Sequence, residues 1–206
     1  MMTWSELWQQ LNATSWLEWT AVGLAIVYLV LAAHQSLWCW LAAGISCVIY
    51  THLMFDAKLY MESVLQLIYV VLAGYGWWQW RYGKGQEEAT EVTAYAAWWH
   101  VKWIALLAVI ALIIVLLLQR YTNAEAVWLD AYTTVYSLFA TWLLTRKQFA
   151  NWWYWLAIDA IYVYLYSSKG FVITGALYFV YLILVVYAMK QWHTAKADRE
   201  LCENSG

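Results

Sequence analysis

The sequence has no proline, three cysteines and few charges: 11 lysines or arginines and 13 aspartates or glutamates make up 12% of its 206 residues. Soluble domains carry charge on about a quarter of their residues, so this composition excludes an ordinary water-facing globular domain. Cys39, Cys47 and Cys202 lack metal-ligand spacing, and two of them fall within apolar stretches, which argues against a disulfide framework. No G-x-x-x-x-G-K-[ST] loop is present to cradle a nucleotide phosphate, which excludes that kind of ATP-driven pump. The first apolar run is preceded by acidic rather than basic residues and no small-residue cleavage site follows. It therefore reads as a retained helix, not a signal peptide.

What remains is 65% hydrophobic and includes 18 tryptophans and 17 tyrosines, more aromatics than interface belts alone require. Apolar stretches long enough to cross a bilayer core of about 30 Å recur at 16–33, 37–55, 59–80, 101–119, 127–144, 152–167 and 171–192. The predicted fold class is an all-α membrane protein with seven transmembrane helices. The fourth stretch, Ile104 to Leu118, is uniformly aliphatic and reads as a lipid-facing spacer. One extended polar stretch, Arg81 to Thr93, divides the chain. This gives a first three-helix unit over 1–80, a loop over 81–100, a fourth helix and loop over 101–126, a second unit over 127–192 and a tail over 193–206. Lys58, Arg120 and Lys169 fall on one side, whereas Arg81, Lys84, Lys102, Arg146, Lys147, Lys190, Lys196 and Arg199 fall on the other. By the positive-inside rule the N-terminus is outside and the C-terminus cytoplasmic.

An offset of 112 residues, without a gap, brings Leu17-Glu18 onto Leu129-Asp130, Trp40 onto Trp152, Ile49-Tyr50 onto Ile161-Tyr162, Tyr69 onto Tyr181 and Gln79-Trp80 onto Gln191-Trp192. The expectation is a duplication of three helices around one spacer, a parallel 3+1+3 repeat. Such units are related by an axis along the membrane normal, with a central site where they meet. Transport is the natural inference, although repeats also occur in membrane proteins that only hold structure.

Polar residues at membrane depth are expensive unless paired or facing a cavity. Glu18 and Asp130 hold equivalent positions near the outer ends of the first and fifth helices, where capping or pairing across the repeat is expected. Glu62 lies near a helix start. Asp159 is different, because it sits mid-helix among apolar and aromatic neighbours. Trp152, Trp155, Asp159 and Tyr162 recur at spacings of three, four and three, forming one stripe on the sixth helix. Indole faces attract cations and a carboxylate supplies countercharge, so the stripe suits a flat cationic aromatic ligand. Gln66 and Tyr69 on the third helix, with Tyr178 and Tyr181 on the seventh, add hydrogen-bonding groups. Trp40, the offset partner of Trp152, completes the candidate binding set, and Asn151 is a candidate structural polar group at the start of the sixth helix. For enzymatic chemistry the sequence offers only His52 with Asp56 one turn on, and two ligands do not make a closed metal site.

Gln66, Tyr75-Gly76-Trp77, Trp80, Thr145-Arg146-Lys147, Asn151-Trp152, Trp155 and Leu177-Tyr178 together resemble the Pnu-type bacterial vitamin transporters, over nearly the whole chain. The resemblance implies a seven-helix fold akin to the SWEET class, located in the bacterial inner membrane. It also implies uptake by facilitated diffusion without a cofactor, the vitamin being trapped by phosphorylation on a separate cytoplasmic kinase. The family's Trp-x-x-Trp-x-x-x-Asn binding motif falls on Trp152, Trp155 and position 159, where this chain has Asp. A carboxylate accepts donors from an aminopyrimidine, so thiamine is favoured as substrate, with nicotinamide riboside the alternative. A proton-coupled carrier using Glu18 or Asp159, a non-transport structural membrane protein and a homo-oligomer stay open. Apart from the vitamin, the expected partner is the lipid bilayer, and no nucleic acid is expected.

Overall fold

The computed structural model describes residues 15–83, 92–121, 127–168 and 172–203. Among them are seven α-helices: α1 (Trp16–Ala33), α2 (Cys39–Asp56), α3 (Tyr60–Tyr82), α4 (Ala97–Tyr121), α5 (Val127–Thr145), α6 (Asn151–Ser168) and α7 (Val172–Glu203). The expected spans and the helices agree closely, with two extensions. α4 starts at Ala97, inside the expected loop. α7 continues through the expected tail, since no proline or glycine lies between Trp192 and Glu203 to stop it. Lys84, the glutamates at 87, 88 and 91, and Lys169 lie outside the described residues.

Local chemistry fixes the ends. Ser15 caps α1, its Oγ accepting from the backbone N–H of Glu18 at 3.2 Å, so Glu18 occupies the third position of a capping-box sequence. α1 closes on Gln35 at φ 55° and α5 closes on Lys147 at φ 51°, left-handed turns made without glycine. The hydrogen bonds of the two turns correspond. Ser36 N–H reaches Leu31 O at 2.9 Å and Gln148 N–H reaches Leu143 O at 3.0 Å, each pair of positions being 112 residues apart.

Helix adjacency defines a ring. α1 packs on α2, α2 on α3, α3 on α5, α5 on α6, α6 on α7, and α7 back on α1. α4 stands outside this ring against α5, burying the stripe Leu107, Ala111 and Val115 and leaving Val109, Ile113 and Leu116 exposed. α1, α2, α4 and α7 are long and apolar enough to cross a membrane by length and composition. α3, α5 and α6 fall short because they carry the groups that face inward: Gln66 and Tyr69, a row of Ser and Thr from 133 to 145, and Asp159. Exposed aliphatic side chains cover the outside, including Val27, Ile45, Val71 and Ile183. Soluble monomers rarely expose so continuous an apolar surface, and the chain is a multi-pass membrane protein.

One end of the ring is closed by four indoles. Trp40 meets Trp80 edge to face at 5.3 Å and 85°, and Trp152 meets Trp192 at 5.3 Å and 87°. Trp80 and Trp192 join the two pairs at 6.5 Å. Gly76 makes room for this cluster, since a Cβ there would lie 2.5 Å from the Trp40 ring.

Candidate functional site

Inside the ring is a cavity of about 310 Å³ to which α1, α2, α3, α5, α6 and α7 all contribute lining residues. α6 supplies Trp155, Ile158, Asp159 and Tyr162, α3 supplies Gln66 and Tyr69, and α7 supplies Tyr178 and Tyr181. Trp40 lines it from α2. The structure thus brings together every expected binding residue but one. Trp152 is fully buried against Trp192 and does not line the cavity, a correction to the expected four-residue stripe. The reason is axial: Trp152 lies only about 20° around the helix from Asp159 but about 10 Å nearer the start of α6, at the level of Trp192.

Several polar groups are already committed. Tyr69 OH and Ser137 Oγ share a 2.6 Å hydrogen bond between α3 and α5, Tyr162 OH donates to Thr133 Oγ1 at 2.8 Å, and Ser46 Oγ donates to Ala21 O at 2.9 Å. Others remain open. Asp159 is 4% exposed, and among the described residues its carboxylate has no hydrogen-bond or ion-pair partner. One helical turn away, Trp155 has no ring partner among the described residues. Tyr162 and Tyr178 stack at 4.6 Å on the adjoining wall, and Tyr181 meets Tyr178 edge to face at 5.8 Å. The indole N–H groups of Trp40 and Trp152 are buried without an acceptor among the described residues.

Sequence reasoning missed Tyr28, Ser46, Cys47, Tyr50 and the hydroxyls of α5 at 134, 137 and 141. The offset of 112 could have found Tyr50, which falls on Tyr162, whereas Tyr28 falls on Ala140 and leaves no such trace. The remaining expected polar residues lie away from the cavity. Glu18 and Asp130 are exposed in the first turns of α1 and α5. Asn151 is buried at the start of α6, where its Nδ2 donates to Gln148 O at 2.7 Å. His52 and Asp56 form an exposed 3.0 Å pair at the end of α2, and no group of three metal-ligating side chains occurs among the described residues. Cys39 and Cys47 are free thiols.

A ring of six helices in an apolar sheath, closed around a cavity with aromatic walls and a carboxylate unpaired among the described residues, has the build of a small-molecule carrier of the membrane. The comparisons with known proteins agree. Residues 15–194 match the family model described as nicotinamide mononucleotide transporter, and the chain belongs to this family, one of transporters and not of enzymes. The riboflavin/roseoflavin transporter RibM of Streptomyces davaonensis is 28% identical over 185 residues, 86% of this chain and 84% of that protein. The nicotinamide riboside transporter PnuC of Escherichia coli is 21% identical over 211 aligned positions, covering 90% of this chain and 88% of that protein. A crystal structure of the vitamin B3 transporter PnuC superposes with a TM-score of 0.73 at 22% identity, covering 93% of this chain and 86% of that one, a likeness of fold.

Proposed function

We propose that this chain takes up a flat aromatic vitamin across the bacterial cytoplasmic membrane, with nicotinamide riboside as substrate. The observation that carries the reading is the pairing of Asp159, buried and without a countercharge among the described residues, with the unstacked face of Trp155 one turn away. A pyridinium ring satisfies both, stacking on the indole and offsetting a charge that is expensive to leave alone in a protein interior. The thiamine preference is not carried forward. Asp159 attracts any aromatic cation, and the relatives described above are named for nicotinamide riboside and riboflavin. Riboflavin is the second reading, favoured by the greater identity of its named transporter. Its ring is neutral, so the carboxylate would serve it by accepting from the ring's imide N–H or from ribityl hydroxyls and not as a countercharge.

The carrier works by alternating access of two parallel three-helix units, α1–α3 and α5–α7, around the cavity, with α4 as spacer. Support for the repeat is geometric. Exchanging α1, α2 and α3 with α5, α6 and α7 leaves the set of ring contacts unchanged, and the Trp40–Trp80 and Trp152–Trp192 pairs correspond at the same offset. The four-indole end is cytoplasmic, because Arg81, Arg146, Lys147, Lys190 and Lys196 lie toward it in sequence and the positive-inside rule applies. Movement is downhill, and phosphorylation on a separate kinase retains the vitamin.

Titration calorimetry of the purified chain with nicotinamide riboside, riboflavin and thiamine, repeated on Asp159→Asn, tests the reading. The riboside should bind most tightly and lose about tenfold in the variant, about 1.4 kcal/mol. Riboflavin binding tighter than the riboside, and indifferent to the substitution, would overturn it in favour of the second reading.

A further inference from the structure

α2 and α6 present matching rows of side chains to the central cavity. The offset of 112 places Ala43 on Trp155, Ser46 on Ile158, Cys47 on Asp159 and Tyr50 on Tyr162, and all eight line the cavity. The two halves of the chain therefore build equivalent walls, one with a thiol where the other has a carboxylate. A charge at that position is not needed to form the wall. Asp159 is the one charged side chain among the described lining residues. It is 4% exposed and has no hydrogen-bond or ion-pair partner among the described residues.

No group that shares the cavity with it supplies a positive charge. Tyr28 lines the space from α1, Cys47 and Tyr50 from α2, and Tyr69 from α3, with Tyr162 on the same helix as Asp159 and Tyr178 and Tyr181 on α7. A phenol or a thiol is neutral or negative and never cationic. α5 adds only the hydroxyls of Thr134, Ser137 and Thr141. The charged residues of the two helices packed on α6 stand away from the site. Asp130 is in the first turn of α5, Lys190 and the charged residues that follow it lie nine or more positions past Tyr181 on α7, and none of them lines the cavity. Lys169 and Lys84, outside the described residues, come after the ends of α6 and α3 in sequence. Those ends already lie about 14 Å of helix rise past Asp159 and about 20 Å past Tyr69.

We infer that Asp159 exchanges a proton for the cationic vitamin, so that each turnover carries one aromatic cation inward and one proton outward. The inference rests on the carrier reading above and adds a second transported ion to it. When both ends of the cavity are shut, the carboxylate has neither bulk water nor a countercharge, and a charge so placed has to be neutralised. A bound cation and a proton are the two means, and they exclude each other. Facing outward, the protonated site takes the vitamin, its O–H proton leaves to the outer solution and the carboxylate pairs with the pyridinium. Facing inward, the vitamin departs, a proton from the cytoplasm takes its place on the carboxylate, and the neutral empty site turns outward again. Charge balances at each step, and a single carboxylate sets the ratio at one to one. The exchange moves no net charge, so the membrane potential does not draw the vitamin in. Movement stays downhill in the summed gradients of vitamin and proton, and where the outside is the more acidic side, net entry depends on removal of the vitamin within.

The test uses the full chain, purified in detergent and reconstituted in proteoliposomes. Calorimetry with nicotinamide riboside in buffers of different ionisation enthalpy should show release of about one proton per riboside at the acid end of the range, and affinity should fall by up to about tenfold per pH unit as the pH is lowered. Dihydronicotinamide riboside, which has the same sugar but a neutral ring, should release none. Asp159→Asn should bind the riboside without proton release or pH dependence, and Asp159→Glu should release the proton again. In proteoliposomes an acidic lumen should speed wild-type riboside uptake several-fold and an inside-negative potential should leave it unchanged, whereas Asp159→Asn should respond to the potential and ignore the pH gradient. Wild-type binding without proton release, with uptake driven by the potential alone, would overturn the exchange and leave the carrier reading standing. If the riboside fails to bind while N-methylnicotinamide or thiamine binds with release of a proton, the substrate reading falls and the exchange stands. Should Asp159→Asn fail to fold, the two ribosides and the two gradients applied to the wild type decide the matter.

Discussion

Trp80 and Trp192, 112 residues apart, make the same hydrogen bond at the two seams of the ring. Trp80 Nε1 donates to Leu144 O at 3.2 Å, Trp192 Nε1 donates to Ala32 O at 2.9 Å, and the two acceptors are themselves 112 residues apart. Each bond ties the last helix of one half to the end of the first helix of the other. Both carbonyls belong to helix ends, and each also accepts from the turn that follows, Leu144 O from Lys147 N–H at 2.9 Å and Ala32 O from Gln35 N–H at 3.0 Å, so the indole takes the second lone pair. If the halves rock as proposed above, these are the links that separation at the indole cluster must strain.

Trp80→Phe and Trp192→Phe should therefore destabilise the chain alike, by about 0.5–1.5 kcal/mol each, the net contribution of one hydrogen bond whose acceptor stays paired through the adjoining turn. Thermal unfolding of the detergent-purified variants, followed by tryptophan fluorescence, measures this. A marked drop for one variant with none for the other would break the equivalence of the two seams.

Gly76→Ala should be more damaging than its size suggests. The added methyl would lie 2.5 Å from a ring of Trp40 that is itself locked against Trp80, so the cluster has to shift as a body. Overpacking of this kind costs about 1–3 kcal/mol. Gly23→Ala is the control, because nothing lies within 4 Å of a Cβ there. A melting temperature for Gly76→Ala equal to that of Gly23→Ala would refute the steric account.

The same cluster shows what sequence could and could not convey. Hydrophobic runs located all seven helices, since crossing lipid demands a length and an apolarity that hardly any other structure demands. Helical spacing placed Trp155, Asp159 and Tyr162 on one face, and all three line the cavity. Trp152 lies on the same face yet packs on Trp192, because the cavity ends before the first turn of α6, and periodicity records the face of a helix but not how far along it a cavity extends. The seam bonds of Trp80 and Trp192 were hidden for another reason: their partners are backbone carbonyls, which leave no mark in the sequence. The offset of 112 paired the two donors, whereas the acceptors, Ala32 and Leu144, differ in residue type and gave no match.

Trp155 and Trp152 should respond differently to substitution. Trp155→Leu removes the unstacked indole face from the cavity and should weaken nicotinamide riboside by roughly tenfold, a loss within the range of a desolvated cation–π contact. Trp152→Phe touches no lining position, so the dissociation constant should stay within about twofold while the melting temperature falls. Calorimetry and thermal unfolding on both variants separate the two effects. A Trp152→Phe protein of normal stability that no longer binds would return Trp152 to the substrate site.

α4 contributes nothing to the cavity lining and meets the ring along one narrow stripe, so its two faces should tolerate opposite changes. Val109, 54% exposed near the middle of the helix, faces the surrounding hydrocarbon if α4 spans the membrane. Lysine at a helix centre costs about 2.5–3.5 kcal/mol on insertion scales, and Val109→Lys should sharply reduce the membrane-inserted fraction. Ala111 has no exposure and sits in the cluster with Val135 and Phe139 of α5. Ala111→Leu should insert normally and then melt lower, by overpacking that helix contact at about 1–3 kcal/mol. The paired readout is carbonate-resistant membrane fractionation followed by thermal unfolding of whatever inserts. Normal insertion of the lysine variant would mean that Val109 is covered, by lipid-facing packing against another protein or a second copy, and the spacer role of α4 would have to be abandoned for an interface.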